Sequence, residues 1–235
     1  MSTEGKLFKE FGLKYRDGIV DEGKWEEINP KILFILKETN DFECDLRSFL
    51  KDGGRPKTWS NIARWSYLIK KMFKKNNDTP DFKDFLKKGN DCGRKKHLST
   101  ACVMNLKKTA GQSTTKPNEF RDYFKDPKTI DILKEQMKLY PKIDIIICCG
   151  DIVFEIFKNK VLEDKELEKI TDDFKLEHKN RCRKLRLYKS SKGYYVINFI
   201  HPQQHTYTNE KVWKSLGNIV KEINKNHLAE FATRE

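Results

Sequence analysis

The chain contains 235 residues, of which 37% are hydrophobic and 11% aromatic, and 48 Lys and Arg face 35 Asp and Glu, for a net charge of +13. This length suits one α/β domain, and the aromatic and apolar content excludes a disordered chain. No run approaches the ~18 consecutive apolar residues of a membrane-spanning helix, and the first residues lack the apolar run of a signal peptide. We therefore expect one domain over residues 1–235 that is cytoplasmic, monomeric and without membrane contact.

The positive charge favours nucleic acid as a partner. An excess of this size concentrates polyanions and contributes salt-sensitive affinity for phosphate backbones. A lysine-rich solvated surface gives the same composition, so charge indicates DNA binding without deciding it.

The cysteines show neither a C-x-x-C pair nor a histidine at zinc-ligand spacing. They are Cys44, Cys92, Cys102, Cys148, Cys149 and Cys182. Cys148 and Cys149 lie inside an apolar run, where thiols behave as small core groups. We expect a reduced protein without a metal or a cofactor.

Four short apolar runs are typical of buried parallel strands. They are Ile32–Leu36, Ala101–Leu106, Ile143–Cys149 and Tyr195–Ile200. Stretches with helical periodicity lie between and after them. These are Trp59–Phe73, Thr129–Leu139, Asp151–Phe157 and Lys211–Ile223. The alternation predicts an α/β fold with three layers, α/β/α, around a central, mainly parallel four-stranded sheet.

Two charged stretches interrupt this pattern, at residues 74–96 and 161–192. Both look like surface insertions within the single domain, and the second ends in a predicted hairpin turn at residues 190–193.

Ligands of open α/β sheets bind beyond the carboxyl ends of the strands, so the residues that follow each strand are the candidates for a site. These residues are 37–41, 105–109, 150–151 and 201–205. Three of the four segments carry catalytic or base-reading side chains.

Four motifs in this order resemble the uracil-DNA glycosylase-like superfamily. They are ILFILKETN, ACVMNLKKTAGQSTTKPNEF, LKEQMKLYPKIDIIICCGDIVFEIF and YYVINFIHPQQH, and together they cover most of residues 31 to 205. The second and third are similar to the iron-sulfur branch of that superfamily. The resemblance implies a monofunctional DNA glycosylase that flips a base out of the duplex and hydrolyses its N-glycosidic bond.

The motifs also depart from the family pattern. Leu36 stands where the first loop usually has Gly, and Glu38 is level with the Asp of the family's Gly-Gln-Asp-Pro. Thr109 occupies the place of one cluster cysteine and no N-terminal cysteine pair exists, so we expect no iron-sulfur cluster. Where the family has a Leu that wedges the duplex, this chain has Gln203-Gln204-His205-Thr206-Tyr207.

Cleavage of an N-glycosidic bond passes through an oxocarbenium-like sugar, which needs negative charge beside it and a donor to the departing base. Glu38 is the candidate for the first role, where it also orients a water, and His201 for the second. Lys37, Asn40 and Asp41 remain alternatives to Glu38. Glu38 as a surface acid or helix N-cap, and His201 as a structural residue, also remain open.

Three residues are candidates to bind the flipped base. The Asn105 amide carries a donor and an acceptor that suit a Watson-Crick edge, although it could instead close the strand with a turn. Phe42 or Trp59 could stack on the base, and Trp59 could equally belong to the core.

Basic and aromatic side chains in the loops beside these strand ends are candidates to bind the DNA backbone or wedge the duplex. They are Arg55, Lys57, Lys107, Lys108, His205 and Tyr207.

The segment Thr39-Asn40 is smaller and more polar than the aromatic wall with which uracil-specific members exclude a 5-methyl group. We therefore expect a 5-substituted cytosine, hydroxymethylated or glucosylated as in some phage DNA, which makes phage defence the role. Plain uracil repair, another repair enzyme on this scaffold and a non-catalytic reader of modified DNA stay open. A nucleotide-binding protein is disfavoured, because no glycine-rich phosphate loop occurs.

Overall fold

A computed structural model describes residues 3–13, 16–39, 45–74, 78–109, 116–140, 142–162 and 167–232. The strands are β1 (Gly18–Ile19), β2 (Ile32–Leu36), β3 (Cys102–Asn105), β4 (Ile145–Cys149), β5 (Leu167–Lys169), β6 (Phe174–His178), β7 (Arg181–Ser190) and β8 (Tyr195–Phe199). The first five helices are α1 (Thr3–Glu10), α2 (Glu22–Glu27), α3 (Leu46–Lys51), α4 (Thr58–Lys74) and α5 (Phe82–Lys87). The others are α6 (Asp91–Leu98), α7 (Pro117–Tyr123), α8 (Pro127–Lys138), α9 (Asp151–Ile156), which continues as a π-helical turn over Phe157–Val161, and α10 (Asn209–Ala232).

The strands form one mixed sheet in the order β1-β3-β2-β4-β8-β7-β5, with β6 paired to β7. Its central strands β3, β2, β4 and β8 are parallel, while β1, β5, β6 and β7 pair antiparallel. The predicted α/β class is confirmed. The sheet is wider than the four strands predicted, because the charged stretch after α9 contributes three strands and a two-residue strand precedes α2.

Strand side chains alternate between two cores, one on each face of the sheet. In β2, Ile32, Phe34 and Leu36 pack with α3, α4, α6 and α10, while Leu33 and Ile35 pack with α2, α7, α8 and α9. Both faces of the central strands are therefore buried, which explains why these strands read as continuous apolar runs.

The buried cysteines behave as core groups. Cys148 and Cys149 of β4 are fully buried, and burial raises the pKa of both thiols. Their prediction as core residues is confirmed.

The two charged stretches are more ordered than surface excursions. Residues 78–98 include α5 and α6, which bury Phe85 and Leu98 against the α4 core. In the second stretch, the predicted hairpin turn joins β7 to β8, with the Ser190 N–H donating to the Tyr194 carbonyl at 2.9 Å.

Candidate active site

The parallel strands have a switch point between β2 and β4. From β2 the chain crosses to β3 on one side, and it later returns past β2 to β4 on the other side. The helices that follow β2 pack on one face and α9, which follows β4, packs on the opposite face. Such a divergence opens a crevice beyond the carboxyl ends of the two strands, which is where ligands of open α/β sheets bind.

Glu38 follows β2 and lies between two lysines. Its Oε1 is 3.6 Å from Lys37 Nζ and its Oε2 is 3.1 Å from Lys107 Nζ, and its side chain is 4% exposed. Lys37 Nζ also lies 5.2 Å from the centre of the Phe120 ring in α7. The three charged groups together carry a net charge of +1, so the carboxylate is held in place by ammonium groups that can also attract an anion.

Asn105 is the last residue of β3 and pairs with Leu36 of β2. The pairing continues past both strand ends, because the Leu106 N–H donates to the Leu36 carbonyl and the Lys107 N–H to the Lys37 carbonyl. Asn105 is 4% exposed, and within the described part of the chain no hydrogen bond occupies its side-chain amide. Asn105 and Glu38 therefore lie at strand ends, as predicted, and the structure shows that the two strands are neighbours.

His201 lies two residues beyond Phe199, the last residue of β8. Its Nδ1 accepts a hydrogen bond from the Gln203 backbone N–H at 3.1 Å, so in the neutral imidazole the proton is on Nε2. Desolvation by the surrounding protein, with a smaller contribution from the charge of Lys37, lowers the pKa of His201. The imidazole is thus neutral near pH 7, with Nε2–H available as a donor.

Helix α4 holds the His201–Pro202 loop from the other side. Asn61 Nδ2 donates to the Pro202 carbonyl at 2.6 Å, and the Trp65 ring meets Phe199 edge to face at 4.9 Å. Asn61 was not predicted to have a function, because a polar residue near a helix start carries no local signal of a contact 141 residues away.

Beside this loop lies a polar cavity of about 400 Å³. It is lined by Lys57, Ser60, Asn61, Arg64, Pro202, Gln203, Gln204, His205, Tyr207, Thr208 and Asn209. None of these described lining residues is acidic. Three of the predicted DNA-binding residues, Lys57, His205 and Tyr207, come together here, and Arg55 is exposed in the turn before α4.

A second carboxylate follows β4 at the same edge. Gly150 begins the turn with φ +125°, a conformation that favours glycine, and Asp151 opens α9. Arg183 NH1 lies 2.8 Å from Asp151 Oδ2 and its NH2 donates to Oδ1 at 2.9 Å, and Asn198 Nδ2 donates to Oδ1 at 3.0 Å. Arg183 lies in the charged stretch 161–192, which was predicted to be a surface insertion, so its pairing with Asp151 was not expected.

The prediction that Lys108 binds DNA is wrong. The Lys108 side chain is 2% exposed, and its Nζ donates to Asp17 at 2.8 and 2.9 Å. Burial lowers the pKa of Lys108 and Asp17 opposes that shift. A side chain buried in this way does not reach a phosphate backbone.

The base-stacking candidates have different outcomes. Phe42, and with it Asn40 and Asp41, lies outside the described residues. Trp59, in the first turn of α4, is half-buried against the core on that face of the sheet. Its ring packs so closely over Gly54 that a Cβ on Gly54 would come within 2.6 Å of the ring. Stacking of a base on Trp59 stays a prediction.

Among the residues described, no group of three or more His, Cys, Asp or Glu side chains is placed to hold a metal ion. In that same part of the chain, no helix is long and apolar enough to cross a membrane. Comparison of the chain with protein-family models, with curated proteins and with solved structures found no match.

Proposed function

We propose that the chain is a DNA glycosylase that extrudes a base, hydrolyses its N-glycosidic bond and leaves an abasic site. The observation that carries this proposal is that Glu38, Asn105 and His201 lie at the carboxyl ends of β2, β3 and β8. Strands β2 and β8 are separated by β4 alone, so the strand ends that Glu38 and His201 follow are two strand spacings apart, roughly 10 Å. A nucleoside fits within such a span.

His201 has the chemistry to stabilise the leaving base. Its neutral Nε2–H donates to a base carbonyl on which negative charge grows as the glycosidic bond breaks. Lys37, which is close enough to His201 to influence its pKa, adds positive charge on the same side.

Glu38 acts at the sugar. Its carboxylate orients the attacking water and opposes the positive charge of the oxocarbenium-like transition state. The ion pairs with Lys37 and Lys107 fix its orientation, which matters because positioning contributes a large part of such rate enhancements.

Asn105 reads the base. A buried amide with no other hydrogen-bond partner in the described structure offers one donor and one acceptor to the Watson-Crick edge of an extruded pyrimidine.

The proposed substrate is a cytosine with a 5-hydroxymethyl or glucosylated substituent, as in phage DNA, which makes the enzyme a defence protein. Thr39, next to Glu38, is half-buried and small, so it leaves room beside the ring. The polar cavity next to the His201–Pro202 loop supplies amide, hydroxyl and basic groups suited to a hydroxylated substituent or to the adjoining phosphates.

The test is a single-turnover assay on duplexes that each contain one uracil, 5-hydroxymethylcytosine or glucosylated 5-hydroxymethylcytosine, with alkali-labile abasic sites as the readout. We expect cleavage of a modified cytosine, and losses of about 10²–10³-fold in Glu38→Gln and His201→Ala. Glu168→Gln, an exposed carboxylate on β5, is the matched control and retains full activity.

Intact binding without cleavage of any duplex would overturn the enzymatic proposal. Full activity in both Glu38→Gln and His201→Ala would instead retain the enzyme class and reject the assigned residues.

One observation favours a second candidate, a reader that binds modified DNA without cutting it. Both Glu38 oxygens are paired with lysines and the side chain is 4% exposed, which limits access of water and sugar to the carboxylate. A reader binds the modified duplex more tightly than the unmodified one and releases no base in the same assay.

A further inference from the structure

Asp17, in the segment between α1 and β1, is a buried carboxylate with an unusual set of partners. It is 4% exposed, and it accepts hydrogen bonds from the Asn105 backbone N–H at 2.7 Å, from Lys108 Nζ and from Gln136 Nε2 at 2.7 Å. Two of these three partners belong to the turn that begins with Asn105. No sequence motif surrounds Asp17.

The hydrogen bond from the Asn105 backbone N–H to Asp17 takes the place of a strand pairing that β1 is too short to provide. Successive backbone N–H groups of a strand point to opposite sides, and the Leu106 N–H points to β2, so the Asn105 N–H points to the β1 side. Strand β1 has only two residues, and they pair with Val103 and Cys102. The Asp17 carboxylate therefore satisfies a buried N–H that has no strand partner at this position.

The same carboxylate closes the turn after β3. Lys108, three residues beyond Asn105, reaches back to Asp17, and its backbone N–H donates to Tyr123 Oη at 3.2 Å. Between them, Lys107 pairs with Glu38. Asp17 thus holds both ends of a four-residue segment that presents Asn105 and Lys107 to the candidate site.

We propose that Asp17 is a positioning residue. It fixes the direction of the Asn105 side-chain amide by holding residues 105–108 at both ends. The proposal rests on the proposed function in one respect, namely that Asn105 reads a base. It predicts that Asp17 controls the rate and base selectivity of the enzyme, as well as its stability.

Single substitution of Asp17 is not a clean test, since it leaves the Lys108 ammonium buried without a counter-charge and destabilises the fold. Two double variants avoid this problem. Asp17→Asn with Lys108→Met keeps an acceptor for the Asn105 N–H without any buried charge. Gln136 Oε1 is buried and has no partner among the described residues, so rotation of the Gln136 amide lets it accept from the new Asn side chain, at the loss of the Gln136 Nε2 bond to Tyr140 Oη at 2.7 Å. Asp17→Leu with Lys108→Met removes the acceptor as well.

Glu4 provides the matched control. It is also 4% exposed and belongs to the same network, where it accepts from Tyr140 Oη, Arg47 NH1 and the Ile19 N–H. Its charge acts on Lys108, but no hydrogen bond or ion pair joins Glu4 to the described residues 105–108. Glu4→Gln therefore perturbs the network without releasing Asn105.

Two readouts are compared in folded variants of the full chain. In ¹⁵N-labelled protein, we expect the Asn105 amide proton to shift upfield and exchange faster with solvent in the Leu/Met variant, and to change little in the Asn/Met and Glu4→Gln variants. In single-turnover assays, we expect the Leu/Met variant to lose about 10- to 100-fold in rate and to discriminate less between bases, while the Asn/Met variant stays within about threefold of the wild type.

A Leu/Met variant that folds and keeps the wild-type rate and selectivity overturns the proposal, as does an Asn/Met variant that loses as much as the Leu/Met variant. If the wild-type chain cleaves no duplex, the proposed function fails. Two measurements then decide the proposal: the NMR signal of the Asn105 backbone amide and the preference for modified over unmodified duplex, given by the ratio of their Kd values. Both the hydrogen-bonded amide signal and this preference must be lost in the Leu/Met variant alone.

Discussion

At the scale of single residues, the position of Glu38 between Lys37 and Lys107 is the main electrostatic feature of the site. A carboxylate beside two ammonium groups offers less net negative charge to an oxocarbenium-like sugar than an isolated one. Its contribution is therefore expected to come more from the orientation of water than from charge. The two lysines, by contrast, add positive charge where a base anion or a phosphate would lie.

Lys37 is expected to tune His201. Its ammonium group disfavours the imidazolium form, so Lys37→Gln raises the pKa of His201, and Lys192→Gln, in the turn at the opposite edge of the sheet, leaves it unchanged. The measurement is an NMR titration of the His201 ring protons. An unchanged midpoint in Lys37→Gln would show that burial alone sets the His201 pKa.

At the scale of elements, α4 serves both the core and the site. Its apolar face packs under the sheet, with Trp65 against Phe199, and its first turns hold the Pro202 carbonyl through Asn61 and line the polar cavity. Its far end carries a buried cation, Lys70, whose Nζ donates to the Thr100 carbonyl at 3.0 Å and to the Thr100 hydroxyl. The helix is therefore fixed at both ends by polar contacts with distant loops.

Burial of Lys70 predicts a pH dependence of stability. Burial, with the nearby charge of Lys74, lowers the pKa of Lys70 from 10.5 to about 7. Between these values the unfolded chain binds more protons than the folded one, so the contribution of Lys70 to the free energy of unfolding rises as the pH increases from about 7 to 10.5.

Lys70→Met removes this contribution while preserving most of the side-chain volume. We expect the difference in unfolding free energy between variant and wild type to favour the variant at pH 7 and to shrink toward pH 10, as measured by urea denaturation at several pH values. Lys192→Met, an exposed lysine in the turn between β7 and β8, is the control. A difference that does not vary with pH would contradict the buried titration.

At the scale of the whole molecule, the net charge of +13 can attract DNA only where basic side chains are exposed together on one surface. The described lining of the polar cavity contains Lys57 and Arg64 and no acidic residue, and Arg55 is exposed close by. This places basic side chains on the side of the sheet where the candidate site lies. DNA binding is therefore expected to be strongly salt-dependent.

For duplex DNA, we expect the logarithm of the binding constant to fall linearly with the logarithm of the salt concentration. Arg55→Ala and Lys57→Ala should each reduce the slope by about one unit if the side chain contacts a phosphate. Lys192→Ala, at the opposite edge, should leave the slope unchanged. Equal slopes in all three variants would place the DNA on another surface.

The predictions of single strands and helices succeeded where the apolar pattern of one segment is enough to indicate its burial. The apolar runs that became β2, β3, β4 and β8 are buried on both faces, and α4 buries Ile62, Trp65 and Ile69, which follow its apolar periodicity. The neighbouring lysines after β3 show the limit: Lys107 pairs with Glu38 and Lys108 with Asp17, and nothing in the local sequence distinguishes them.

The sequence by itself determined the α/β class, the central strands and the strand-end positions of Glu38, Asn105 and His201, because burial patterns and chain order are local properties. Only the tertiary structure decided which groups these residues meet: Glu38 with two lysines, Asn105 with Asp17 and His201 near Lys37. Apart from the pair formed by the neighbours Lys37 and Glu38, those contacts join segments far apart in the chain, and polar pairing between such segments depends on the packing of the whole sheet. The same packing turned a charged stretch into three further strands and removed Lys108 from the surface.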